Sequence, residues 1–101
     1  MTYAAWTKGS AALLLGIHHV AEHEGVADVL RQEWSRSLPE LGDRLDRAEG
    51  AAVRKGSRWV GEMEEIAESF GAGGAPTGFH EAAAEISRRY PRTATPPEPP
   101  A

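Results

Sequence analysis

The stretch Tyr3-Ala-Ala-Trp-Thr-Lys-Gly-Ser-Ala-Ala-Leu-Leu-Leu-Gly-Ile17 decides how the rest of the chain is read. Between residues 1 and 21, Lys8 is the only side chain certain to be charged at neutral pH. Trp6, Leu13, Ile17 and Val20 recur at helical spacing and form an apolar stripe of the kind that faces a core. Ala5, Gly9, Ala12 and Gly16 recur at steps of four, three and four and form a second stripe of small residues. With no bulky side chain to hold it off, another helix can approach that second stripe closely, so these four residues are the interface candidates. A helix apolar on most sides is enclosed on most sides, and 101 residues supply little with which to enclose it. The expectation is that this helix takes neighbours from outside its own chain.

Working outward, helix one is expected over residues 2–24, stopped by Gly25. A second helix over residues 26–36 places Val26, Leu30 and Trp34 on one side. Ser37-Leu-Pro-Glu40 has the form of a capping box, with a hydroxyl, a carboxylate three residues on, and proline in the first turn. A third helix follows with Leu38, Leu41, Leu45, Ala48 and Ala52 at steps of three and four, and with i,i+4 charge pairs Glu40–Arg44 and Asp43–Arg47. Gly56-Ser57 is read as a break, with Ser57 capping a fourth helix whose stripe is Trp59, Met63, Ile66 and Phe70. Gly71-Ala-Gly-Gly-Ala-Pro-Thr-Gly78 is a loop, and Phe79, Ala83, Ile86 and Tyr90 lie along a fifth helix. No β-branched or aromatic run has period two, so the fold class is all-α with about five helices.

The totals set further bounds. Residues 1–90 make one helical domain, and residues 91–101, with five of the seven prolines, read as a disordered Pro-rich tail. A formal charge of −4 argues against a nucleic-acid partner, which rewards a basic face. The five basic residues between Arg44 and Arg58 alternate with acids and read as a solvated surface. No cysteine is present, so thiolate chemistry and a disulfide framework are excluded, and a cytoplasmic location is expected. The longest run without a polar side chain, residues 11–17, is far shorter than the ~20 residues a bilayer span needs. A signal peptide's basic flank and cleavage site are also missing, so no membrane partner is expected.

Some residues carry candidate chemistry. His19-Val-Ala-Glu-His23 matches H-x-x-E-H, in which two histidines one turn apart hold zinc and the glutamate acts as base; His19, Glu22 and His23 thus define a zinc-hydrolase alternative. The same residues also read as a polar last turn suited to the helix dipole, and no metal site is assigned to them. Lys8, alone in a nearly uncharged stretch, would either snorkel outward or meet a carboxylate or an anionic ligand. Glu62, Glu64, Glu65 and Glu68 read as a solvated face or as paired carboxylates. The glycine-rich loop follows a helix and does not spell G-x-G-x-x-G, so it is a connector and not a phosphate cradle.

Three strings carry a resemblance. Tyr3-Ala-Ala-Trp-Thr-Lys-Gly-Ser-Ala-Ala-Leu-Leu-Leu15, Arg58-Trp-Val-Gly-Glu-Met-Glu-Glu-Ile-Ala67 and Gly78-Phe-His-Glu-Ala-Ala-Ala-Glu-Ile86 occur in an order and at a spacing that resemble one helical domain. It is the C-terminal domain, commonly catalogued as of unknown function, of NAD(P)-dependent oxidoreductases related to 6-phosphogluconate and 3-hydroxyisobutyrate dehydrogenases. The resemblance covers residues 1–90. It implies a domain that closes over a nicotinamide held by a Rossmann domain, shapes the substrate pocket and carries a dimer contact. The implied partners are a second copy, a separate Rossmann domain, or both.

The same resemblance bears on individual residues. The related dehydrogenases carry a catalytic lysine near the start of the first helix, at a place that falls just before Met1 and two turns below Lys8. No residue of this sequence is therefore assigned as catalytic. Thr7 and Lys8 are pocket candidates. Met63-Glu-Glu-Ile66 stands where the hydroxyacid dehydrogenases have a Lys-Asp-Leu string facing the substrate, which adds Glu62 and Glu65. The chain has no glycine fingerprint or opening strand for a dinucleotide, so no cofactor is expected for the chain alone. NAD(P) is implied for the complete enzyme. A self-association module without enzymatic role, joined through Ala5, Gly9, Ala12 and Gly16, is the alternative from a different class.

Overall fold

A computed structural model describes residues 2–90, and the Pro-rich segment 91–101 lies outside them. The described residues are all-α, with a 3-10 turn at Thr2–Ala4 and four α-helices. They are α1 (Ala5–His23), α2 (Ala27–Ser37), α3 (Leu41–Ala72) and α4 (Gly78–Arg88). The molecule measures 42 × 40 × 22 Å. A thickness of 22 Å is about two helix diameters, so each helix has one broad face without a covering layer.

Two helix ends follow the expected glycine chemistry. Gly25 takes a left-handed φ of 75°, its N–H donates to Glu22, and the N–H of Val26 donates to the carbonyl of Ala21. Gly74, at φ 85°, repeats the pattern after α3: its own N–H reaches Gly71 and that of Ala75 reaches Phe70. Both are Schellman ends, in which a residue with positive φ turns the chain back over the last carbonyls. The glycine-rich stretch is thus the connector between α3 and α4.

The five-helix expectation resolves into four, because α3 runs unbroken through Gly56 and Ser57. Gly56 is buried, and a Cβ there would lie 3.1 Å from Cβ of Tyr90 and 3.5 Å from the carbonyl of Ser87. Its lack of a side chain serves close approach by the end of α4, not a break. The expected capping box is also absent. Ser37 closes α2 and its hydroxyl donates to the carbonyl of Glu33, while Glu40 precedes α3 without a side-chain cap. Across the α2–α3 junction it is Arg31 that pairs with Asp46, at 2.9 Å.

The core has two parts. Leu14, Leu15, Trp34, Leu45, Ala48, Ala52 and Trp59 join α1, α2 and α3, while Ala12, Met63, Ala83 and Ala84 join α1, α3 and α4. Most of the periodicity expected for α3 is obeyed, with Leu45, Ala48, Ala52, Trp59, Met63 and Ile66 all buried. In α1 the assignment of faces is reversed. The stripe expected to face the core is largely outside: Trp6 is 70%, Leu13 62% and Val20 51% exposed. Leu14, Leu15 and Ala21 go inside instead. Among the described residues no helix is long and apolar enough to cross a membrane.

Candidate functional site

Three clusters bring chemistry together, and each is fixed by where α1 meets α3 or α4. At the first, Lys8 of α1 reaches α3. Its Nζ lies 3.0 Å from Oε1 of Glu62 and 5.5 Å from the ring centroid of Trp59. Trp59 and Glu62 are three residues apart on α3, so they share a face and present a ring and a carboxylate to one ammonium. The ion pair is half-buried. At 3.0 Å the ammonium and the buried Oε1 are within charge-assisted hydrogen-bonding distance.

Of the four expected pocket residues, the structure therefore joins Lys8 and Glu62. Thr7 is exposed, and its carbonyl accepts a hydrogen bond from Ser10 Oγ at 3.3 Å. Glu65 is exposed on α3. Glu64, read together with it as a solvated face, pairs with Arg88 of α4 at 2.9 Å. Trp59 beneath Lys8 was legible only as a core residue, because sequence spacing within α3 does not reveal what arrives from α1.

The second cluster lies at the other end of α1. His18 Nε2 is 3.2 Å from Oε2 of Glu22 and 3.2 Å from Oε2 of Glu49, so one imidazole edge serves two carboxylates on two helices. Tyr90 lies within their influence. Burial, then the negative charge of Glu49 and then that of Glu22, holds its phenol above the ordinary tyrosine value. This arrangement alters the zinc alternative. Glu22 is turned to His18, and His19 and His23 are exposed. Among the described residues no group of three or more His, Cys, Asp and Glu side chains is gathered as a metal site.

The third cluster is where the small-residue stripe goes. Ala12 is buried against Ala83 and Ala84 of α4, Gly9 faces His80, and Gly16 faces Ile86. The close approach that Ala5, Gly9, Ala12 and Gly16 permit is thus made by α4 of the same chain. His80 is buried, and its Nε2 donates to the carbonyl of Ala5 at 3.1 Å. Its ring lies against Phe70, with centroids 4.8 Å apart. Sequence reading missed His80, although Gly9 in the small stripe was the available signal for a bulky neighbour. Beside this contact a groove of about 960 Å³ opens between α1 and α4, lined chiefly by Trp6, Gly9, Leu13, Phe79, Ala83 and Ile86.

Residues 21–90 match a family described as a domain of unknown function (DUF1932), and because that is more than half of the chain, the chain belongs to this family. No curated protein and no solved structure matches it.

Proposed function

We propose that this member of the DUF1932 family is the helical substrate-pocket and dimerisation module of an NAD(P)-dependent hydroxyacid-type oxidoreductase, working in the cytoplasm against a Rossmann domain. The observation that carries this reading is the uncovered apolar face of α1, with Trp6, Leu13 and Val20 outside. Large exposed apolar patches mark interaction surfaces. The three strings named above supply the kind of enzyme. The described residues offer no strand–glycine–helix cradle for a dinucleotide, so no reaction step is assigned to the chain by itself.

What these residues would do is bind and orient. Lys8 would take the carboxylate of a 2- or 3-hydroxy acid in exchange for Glu62, with the Trp59 ring fixing the ammonium from one side. When bound in the complete enzyme, NAD(P) would supply the hydride acceptor for the hydroxyl-bearing carbon, and no residue of this chain is assigned to take the hydroxyl proton. On this reading, titrating the chain with a short 3-hydroxy acid shifts the Trp59 indole N–H resonance, and Lys8→Met abolishes the shift. Calorimetry with NADH or NADPH gives no isotherm for the chain alone. Stoichiometric binding of either nucleotide to the isolated chain overturns the reading.

A self-association module without enzymatic role is the second reading, favoured by the same exposed face. With the small-residue stripe taken up by α4, association would have to use the Trp6–Leu13 side. An indole shift that is specific to hydroxy acids decides between the two.

A further inference from the structure

We infer that residues 91–101 turn back along α4 and occupy the groove between α1 and α4 as a polyproline-II strip, so that the chain covers the outer face of α1 itself. The occupant is a segment of this chain beyond the described residues. The inference rests on the groove and on the sequence that leaves its rim, and not on the enzyme reading above.

A polyproline-II helix has three residues per turn, so residues three apart share a side. On that period Pro91-Arg-Thr-Ala-Thr-Pro-Pro-Glu-Pro-Pro-Ala101 sorts into three rows. Pro91, Ala94, Pro97 and Pro100 form one row, and Thr93, Pro96 and Pro99 form the next. Arg92, Thr95, Glu98 and Ala101 form the third, which holds both charged side chains and no proline. Such a strip has two proline-bearing rows to bury and one charged row to leave in water. Aromatic-lined grooves take Pro-rich segments in this way.

Place and reach agree with this. Tyr90, the last described residue, lines the near end of the groove together with Glu85 and Arg89. The near end and the main groove share Ala82 and Ile86, so one trough runs from Tyr90 to Trp6 and Phe79. From Phe79 to Tyr90 the chain rises about 16 Å along α4. Pro91 to Pro97 spans about 19 Å in polyproline II, so a segment that turns back at Pro91 brings Pro96 and Pro97 beside Trp6 and Phe79.

The chemistry of the two surfaces runs in the same order. The charged near end meets the part of the segment that carries Arg92, and the main groove, which no Asp, Glu, Lys or Arg lines, meets the prolines. Trp6, Phe70 and Phe79 give that groove its aromatic lining, and Phe79 is 73% exposed. Proline has no backbone N–H, so a proline strip takes fewer unpaired donors into an apolar trough than an ordinary segment does. Trp6 adds an indole N–H for the strip's carbonyls. The tether selects this segment over a foreign one, because a short linker holds its segment at about millimolar effective concentration.

The test is paramagnetic relaxation in the full chain, which has no cysteine of its own. A nitroxide on Glu98→Cys, in the charged row, should remove most of the Trp6 indole N–H signal and leave the methyl signals of Val29, on the exposed side of α2, intact. The combined variant Pro96→Ser, Pro97→Ser, Pro99→Ser and Pro100→Ser should restore the Trp6 signal. None of these positions belongs to a described helix, so circular dichroism should show the helices unchanged. Phe79→Ala, at an exposed position, should weaken the signal loss as well. Dilution should leave the loss as it is, because the contact lies within one chain. A Trp6 signal that the nitroxide does not touch overturns the inference. So does a loss that the serine variant retains, or one that fades on dilution and thus comes from a second copy. Nucleotide binding by the isolated chain would remove the enzyme reading without touching any of these results.

Discussion

His80 of α4 occupies the space that Gly9 of α1 leaves empty. A Cβ at residue 9 would lie 2.8 Å from Nε2 of the imidazole, inside the distance that real side chains keep. The bare backbone lets that nitrogen donate to the carbonyl of Ala5, one turn earlier on the same helix. The α1–α4 contact is thus built on a missing side chain meeting a buried polar one.

Gly9→Ala tests this directly. Helix propensity alone favours alanine by about 0.8–1 kcal/mol. Against it stand an overpacked contact and a buried donor without its acceptor, each costing about 1–3 kcal/mol. The clash should win, with a net loss of at least about 1 kcal/mol and a thermal midpoint lower by roughly 4–8 °C or more. In a His80→Ala background the same substitution should become mildly stabilising. A Gly9→Ala protein that melts at or above the wild type would contradict the packing described.

Gly56 and Gly61 make a second comparison within α3. A Cβ at Gly61 meets nothing within 4 Å, whereas one at Gly56 meets Tyr90 and Ser87 of the opposing helix. Gly61→Ala should therefore stabilise by about 0.5–1 kcal/mol through propensity and unfolded-state entropy. Gly56→Ala should gain nothing, and Gly56→Leu should destabilise by about 2 kcal/mol or more. A Gly56→Ala protein stabilised as much as Gly61→Ala in chemical denaturation would contradict the close approach of α4 to Gly56.

Ser87 is fully buried in α4 and its hydroxyl has no hydrogen-bond partner among the described residues. A buried hydroxyl without a partner carries its desolvation penalty uncompensated. Ser87→Ala removes that group at nearly constant shape and should raise stability by about 0.5–1 kcal/mol. Ser87→Val, which adds volume beside Gly56, should lower it. A destabilised alanine variant in urea unfolding would mean that the hydroxyl is bonded after all.

How far the fold can be read in the sequence depends on what each signal measures. Periodicity located the buried stripe of α3, because the face that meets α1 and α4 must keep Leu45, Ala48, Ala52, Trp59, Met63 and Ile66 in line, but it split the helix in two at Gly56. It reversed the faces of α1, because Trp6–Leu13–Val20 and Leu14–Leu15–Ala21 are both apolar and periodicity does not say which is covered. Glycine was ambiguous in the same way. Gly25 and Gly74 end helices through positive φ, but Gly9, Gly16 and Gly56 admit a neighbour, and one-dimensional spacing does not separate the two uses. The Lys8–Glu62 pair was half legible. A lone lysine on an apolar helix calls for a carboxylate, and the four glutamates between residues 62 and 68 offered it more than one.

Tyr90 gives the pH prediction. Its ordinary value is 10.0, and in the folded chain burial raises it, with the charges of Glu49 and Glu22 adding to the effect. The unfolded phenol therefore loses its proton first as pH rises. Stability is fully present below about pH 10 and declines above it, since deprotonation favours the unfolded chain until the folded phenol ionises as well. Tyr90→Phe should flatten that alkaline decline in urea unfolding, and Glu49→Gln should flatten it in part. The glutamine effect should be the smaller, because burial is the leading cause. In a Tyr3→Phe background the tyrosinate absorbance reports on Tyr90 alone, there being two tyrosines in the chain. If Tyr90→Phe loses stability above pH 10 as steeply as the wild type, the alkaline decline has another source and the Tyr90–Glu49 proximity does not govern it.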